Sequence, residues 1–314
     1  MWVEAVPNFS EGQDPRWLEE VAHRARVSGV SVLGVEGDVD HNRSVLSIAG
    51  PGEQVVSALM STADLAVKTI DLRRQRGIHP RMGAVDVVPI IPLGETPMEY
   101  AVELTKVLGR RLAEELGLPV FLYEQSAQLP NRRKLEDVRR GGFERLAERM
   151  RTDAPDFGPS APHPSAGAVA VGARWALVAF NCYLSTTDLT IARAVARRVR
   201  ASGGGLAGVK ALGLHPHGQG AVQVSMNLVD YPTTTLPEAV EMVRQEAEQY
   251  GVTVTRSELV GLMPLRALLD TTAYYLNLPD LDAGRVVELT LLQEGMKKVE
   301  VRLPEAKKRD SSQV

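Results

Sequence analysis

The chain holds a single cysteine, Cys182, which excludes an internal disulfide and any zinc cluster built on thiolates, so a metal site would need histidines and carboxylates. It has no excess of charge of either sign: 36 Lys and Arg stand against 39 Asp and Glu, too even a balance to attract nucleic acid or an anionic membrane. No uninterrupted apolar run approaches the roughly 18 residues of a membrane helix, and Met1-Trp2-Val3-Glu4 lacks the basic and then apolar start of a secretion signal. These absences predict a cytoplasmic protein with neither nucleic acid nor membrane as partner. What is present is length: 314 residues at 44% hydrophobic composition bury a substantial core, and that size predicts two compact units.

The opening predicts strand, helix, strand. Trp2 to Pro7 is extended, Asp14-Pro15 starts a helix running to Ser28, and Gly29 closes it before the extended Val30 to Val35. A polar loop follows. Arg43 to Ala49 is extended, Pro51 to Ile70 has helical apolar spacing, and Ala84 to Leu93 is an apolar, β-branched run suited to a buried strand. Thr96-Pro97-Met98-Glu99 has the pattern of a capping box ahead of a helix to Leu116, stopped by Gly117, with a strand at Val120 to Tyr123. The second half repeats the order: Trp175 to Cys182 extended, Asp188 to Ser202 helical, Leu206 to Leu212 and Ala221 to Leu228 extended, Pro237 to Tyr250 helical, Val252 to Val260 extended. Both halves read as β-α-β-β-α-β, which predicts a duplicated α+β fold of two ferredoxin-like subdomains, a sheet-and-helix sandwich with a groove between them. Asp153 to Gly167, rich in Pro and Gly, is a linker or a binding loop.

Polar loops between elements are where sites gather, and four fit: Pro7 to Gly12, Asp38 to Ser44, Gly77 to Asp86, and Asp153 to Gly167. In G-I-H-P-R-M-G-A-V-D, Pro80 stiffens the backbone at His79, and an imidazole that titrates near pH ~6.5 both gives and accepts protons, as transfer of a carbon between amines requires. A turn-capping histidine is the bland alternative. Asp38, Asp40 and His41 offer ligands to a divalent cation, although Asp and Asn in such loops more often bond their own backbone. Arg43 presents a fork of donors suited to a carboxylate, and an ordinary surface ion pair is its default role. His215-Pro216-His217 sits among glycines and reads as a hairpin loop, Gly203-Gly204-Gly205 as a helix stop rather than a phosphate cradle. Ser10 and Ser44 lack a nucleophile-elbow context, and Cys182 lies in an apolar strand.

The ordered segments V-P-N-F-S-E-G (6–12), D-H-N-R-S-V (40–45), H-P-R-M-G-A-V-D (79–86), P-D-F-G-P (155–159), V-G-A-R (171–174) and Q-V-S-M-N-L (223–228) together resemble the glutamate formimidoyltransferase family in its stand-alone form, over about residues 2–278. The resemblance implies an N-terminal subdomain at 1–176, a C-terminal subdomain at 177–300 and a polar tail at 301–314, with tetrahydrofolate held as co-substrate in the groove, a homodimer, and no metal. It implies transfer of the formimidoyl group between N-formimidoyl-L-glutamate and tetrahydrofolate, a step of histidine degradation and one-carbon metabolism. His79 takes the family's acid/base role. The folate-binding stretch falls on Gly158, Pro159, Ser160, Ala161, Pro162, His163, Pro164, Ser165, Ala166 and Gly167, where Pro162-His163-Pro164 departs from the family pattern. Arg43 and Arg81 are candidates for the glutamate carboxylates on chemistry and loop position. The family's animal members add a cyclodeaminase domain, for which a chain ending at Val314 has no room, so the cyclisation is expected of another protein. The same site would serve N-formyl-L-glutamate, and side-by-side donor assays separate the two. Tight tetrahydrofolate binding without turnover would instead mark a non-catalytic folate-binding protein, and loss of activity to chelator a metal hydrolase.

Overall fold

The computed structural model describes residues 1–39, 41–77, 80–216 and 220–293, and the polar tail at 301–314 lies outside them. The chain divides into two units, Met1–Ala176 and Leu177–Val314. Among the described residues no helix is long and apolar enough to cross a membrane.

The first unit opens with β1 (Trp2–Ala5), β2 (Asn8–Phe9), α1 (Pro15–Arg24), β3 (Ser31–Asp38), β4 (Arg43–Pro51), α2 (Gly52–Thr69) and β5 (Val85–Pro92). It continues with α3 (Met98–Leu116), β6 (Val120–Glu124), the one-turn helices α4 (Leu135–Val138) and α5 (Leu146–Arg149), and β7 (Val169–Ala173). β1 and β2 are one strand interrupted at Val6-Pro7, since both pair β4 on one side and β5 on the other. The sheet order is therefore β3, β4, β1 with β2, β5, β7, β6; β7 runs parallel to both its neighbours and the remaining pairings are antiparallel. One face packs Val88, Ile90, Val120, Leu122, Val169 and Val171 against α1 to α3, and the other packs Val87, Phe121, Tyr123 and Ala170 with Val138 and Leu146 of α4 and α5.

The second unit runs β8 (Val178–Leu184), α6 (Leu189–Val199), β9 (Val209–Leu214), β10 (Gln223–Leu228), α7 (Leu236–Glu248), β11 (Val254–Val260), α8 (Leu265–Leu276) and α9 (Val287–Gln293). Its four strands lie antiparallel in the order β11, β8, β10, β9. Each unit thus contains a β-α-β-β-α-β set in which the first strand lies between the third and the fourth, the first unit adding α3 to β7 and the second α8 and α9, and the mixed α+β class read from the sequence holds. His215 and Pro216 fall in the loop between the antiparallel β9 and β10, while His217 lies outside the described residues.

Local chemistry sets the helix ends, with some departures from expectation. Asp14 caps α1 by accepting the Arg16 N–H at 2.9 Å, but the helix stops at Arg24, short of Ser28. The capping box read at Thr96 does not form: α3 starts at Met98 without a side-chain cap, and Thr96 Oγ1 accepts the Trp2 N–H at 3.1 Å instead. The box that does form is Thr235 with Glu238 at the start of α7. Asp153 to Gly167 is no linker, because it lies inside the first unit and its continuation is β7.

Candidate active site

Asp86 is a carboxylate inside an otherwise apolar strand, β5, and it is fully buried. A buried charge needs partners, and it has three: Oδ2 accepts Arg43 Nη1 at 2.7 Å and Arg139 Nη1 at 2.9 Å, and Oδ1 accepts the Met82 N–H at 2.8 Å. Burial raises the Asp86 pKa, and the two guanidiniums together with the Met82 N–H more than reverse that, holding it below the usual carboxylate range. Arg43 spends the rest of its fork on Asn8, whose Oδ1 accepts Nε at 3.1 Å and Nη2 at 2.9 Å. Burial pushes its pKa down while Asp86 pulls it back up.

Hydrogen bonds close the same segments together. Ser10 Oγ donates to the Gly83 carbonyl at 2.7 Å, the Gly12 N–H donates to Asn42 Oδ1 at 3.0 Å, and Asn42 Nδ2 donates to the Arg76 carbonyl at 2.8 Å. Gly83 and Gly167 cross so closely that a Cβ on Gly83 would stand 2.0 Å from the Ala168 carbonyl oxygen. The Ala84 N–H donates to Ala166 at 2.9 Å and the Ala168 N–H to Met82 at 3.0 Å. The far end of the Gly158 to Gly167 stretch is therefore stitched to the segment that follows His79.

Its near end is held by charge. Asp156 Oδ2 accepts the Leu122 N–H at 2.7 Å and Arg132 Nη1 at 2.6 Å, and Arg132 also pairs with Asp153 and the Ala154 carbonyl while lying over the Phe121 ring. Gly158 follows at φ +90, where a Cβ would stand 2.5 Å from the Leu118 carbonyl oxygen. Between these anchors Pro159, Ser160 and Ala161 are exposed. The half-buried His163 accepts the Ala166 N–H on Nδ1 at 3.0 Å, and burial pushes its pKa down.

Arg81 turns the other way, into a cavity of about 460 Å³ walled by Pro80, Arg81, Glu136, Arg139, Arg140 and Glu144 with Gly141 and Gly142. Its Nη1 pairs with Glu144 at 3.1 Å and its Nη2 donates to the Gln75 carbonyl at 3.2 Å. None of Gly158 to Gly167 lines this cavity, and Arg43 stands behind it, joined to Arg139 through Asp86. His79 and Asp40 lie outside the described residues. Asp38 bonds His41 Nδ1 at 2.7 Å, and among the described residues no group of three His, Cys, Asp or Glu is placed to hold a metal. Sequence reading missed Asn8, Asp86 and Arg139 as one network. The signal was in plain view, a lone acid in the apolar run V-D-V-V-P-I-I, which demands a buried cation elsewhere.

The family model for the formiminotransferase domain, N-terminal subdomain, matches residues 2–174, and that for the formiminotransferase domain matches 179–309. The chain belongs to the formiminotransferase family. The glutamate formimidoyltransferase of Thermoplasma acidophilum is 43% identical over 291 residues, covering 91% of this chain and 96% of the relative. That of Streptococcus pyogenes serotype M1 is 41% identical over 283 residues, covering 89% and 95%. The formimidoyltransferase-cyclodeaminase of Rattus norvegicus is 40% identical over 282 residues, which is 87% of this chain and 52% of the relative.

Proposed function

We propose that this chain is an enzyme that transfers the formimidoyl group between N-formimidoyl-L-glutamate and tetrahydrofolate, giving 5-formimidoyltetrahydrofolate and L-glutamate, within histidine degradation and one-carbon metabolism. Two relatives bearing that activity in their names match it nearly end to end. The observation that carries the reading is convergence: residues drawn from separate motifs are joined by hydrogen bonds, Asn8 to Arg43, Arg43 to Asp86, Asp86 to Met82, Ser10 to Gly83 and Asn42 to Gly12, and Gly83, a few positions after His79 in the chain, bridges Gly167. The two units, 1–176 and 177–300, act as N- and C-terminal subdomains of a cytoplasmic homodimer, with small molecules as substrates.

In the forward direction N5 of tetrahydrofolate attacks the amidine carbon of the donor. The tetrahedral adduct collapses when the C–N bond to glutamate breaks, and the glutamate nitrogen leaves once protonated. His79 takes the proton from N5 and delivers it to that nitrogen, so one proton moves, one C–N bond forms, one breaks, and no redox partner is needed. The stretch Gly158 to Gly167 binds the folate, and Arg81 and Arg43 serve the glutamate moiety, Arg81 by contact and Arg43 by holding Asp86. Alignment of the two reactants supplies much of the rate, up to about 7–11 kcal/mol where geometry is good.

The test replaces His79 with Ala. Turnover should fall on the order of 10²–10⁴-fold while tetrahydrofolate binding, followed by fluorescence titration, is retained. An unchanged turnover number removes His79 from the mechanism. Assaying N-formyl-L-glutamate beside the formimidoyl donor decides which carbon group is carried.

A further inference from the structure

The cavity lined by Arg81, proposed above to contact the glutamate moiety, also holds Glu136, Arg140 and Glu144, which that proposal does not use. Its wall carries three guanidiniums, from Arg81, Arg139 and Arg140, and two carboxylates, from Glu136 and Glu144. Two glycines build it: Gly141 at φ +84 and Gly142 at φ +62 turn the backbone after Arg140, and Phe143 then donates to the Arg81 carbonyl at 2.8 Å. Arg139 is fixed at the wall from behind by Asp86, at 2.9 Å.

The donors along this wall are incompletely satisfied. Among the described residues Arg81 Nε is buried without a hydrogen-bond partner, an uncommon state for a buried polar atom. Its Nη1 is paired with Glu144, a carboxylate that is 64% exposed and therefore readily exchanged for another. Arg140 is 78% exposed and, among the described residues, is paired with its near neighbour Asp137. A ligand with two carboxylates on a short chain suits such a wall, and about 460 Å³ is within the usual range for a small-molecule site.

We propose that this cavity is the subsite for the glutamate moiety of the donor, in which Arg81 takes one carboxylate in place of Glu144, Arg140 takes the other, and Arg139 positions the wall between them. The proposal rests on the formimidoyl-transfer reading and deepens it. A glutamyl group is also found at the tail of folate, so the chemistry alone admits two sources. The placement favours the donor: Pro80, joined covalently to His79, lines the cavity, whereas no residue of the proposed folate stretch does.

The test is steady-state kinetics on the full chain with Arg140→Ala, whose side chain lies at the surface, and Arg81→Lys as a second variant. Thermal melts of both variants check folding. Arg140→Ala should raise KM for N-formimidoyl-L-glutamate and the inhibition constant of L-glutamate by roughly 10- to 100-fold, the range for losing a charged hydrogen bond. KM for tetrahydrofolate should stay unchanged. Arg81→Lys, which keeps the charge but loses the fork, should raise donor KM less. An unchanged donor KM in both variants overturns the proposal, and so does a rise in tetrahydrofolate KM, which would assign the cavity to the folate tail. Absence of formimidoyl transfer by the wild-type chain would sink the functional reading instead, so the two failures are distinguishable.

Discussion

Asp86 shows how one residue can organise several motifs. Removing it leaves Arg43 and Arg139 buried without their shared counter-charge, a change that typically costs about 3–5 kcal/mol. Asp86→Asn should therefore lower the melting temperature sharply at neutral pH. The pH dependence has a definite sign. The folded pKa of Asp86 lies below its unfolded value, so the folded state favours the ionised form; the stabilisation is fully present above pH ~3.9 and is lost as pH falls through the lower folded value. Melts from pH 7 to pH 2 should show wild type and Asp86→Asn converging in acid, and parallel curves throughout would mean that the carboxyl titrates alike in the folded and unfolded chain. His163 follows the same logic at milder pH. Its neutral ring accepts the Ala166 N–H, and its pKa is pushed below the ordinary ~6.5 by burial. Tetrahydrofolate KM should accordingly rise as pH falls below about 6.5, and His163→Asn, which keeps an acceptor but does not titrate there, should flatten the dependence. A profile unchanged by the substitution would detach His163 from folate binding. Of these residues the sequence displayed His79, Arg43 and Arg81 as candidates, since their chemistry is local to a motif. Arg139 stayed hidden because what distinguishes it is a partner 53 positions away.

Elements were more legible than loops, for a physical reason. The apolar spacing of α2 and α3 and the unbroken apolar run of β5 express burial that each segment carries in itself. β7 went unread, being five residues of Val, Ala and Gly that become a strand only between two parallel neighbours. Asp153 to Gly167 looked like a connector because its order comes from distant anchors: the Phe157 carbonyl accepts the Val120 N–H at 2.9 Å, and the Leu72 N–H donates to the Ser165 carbonyl at 2.9 Å. Thr96 and Thr235 are the clearest pair. Both stand three residues before a glutamate, yet only Thr235 of the two closes a capping box, because Thr96 is occupied by the Trp2 N–H at the start of β1. The loop itself offers a test at Gly158. A side chain there meets both a left-handed φ of +90 and the Leu118 carbonyl oxygen. Gly158→Ala should cost about 1–3 kcal/mol of stability and raise tetrahydrofolate KM with little change in donor KM. A variant with wild-type melting and kinetics would show that the turn relaxes freely.

At the scale of the whole molecule, the duplication was visible because each half repeats its own periodicities, and the two sets of buried apolar residues share no member: those of the first unit run from Val3 to Ala173, those of the second from Val178 to Ala267. Composition supplies a separate reporter for each unit. All three tryptophans, Trp2, Trp17 and Trp175, belong to the first unit, and the single cysteine belongs to the second. Cys182 is fully buried in the centre of its sheet, and burial pushes its thiol pKa up to about 11, so the native thiol should react slowly with a disulfide reagent at pH 8 until that unit opens. Separate cores predict separate transitions. In a urea titration of Asp86→Asn, tryptophan fluorescence should shift to lower urea relative to wild type, while the midpoint for Cys182 labelling should hold. Equal displacement of both signals would mean that the two halves unfold as one cooperative body, and that the stability of the second depends on a carboxylate buried in the first.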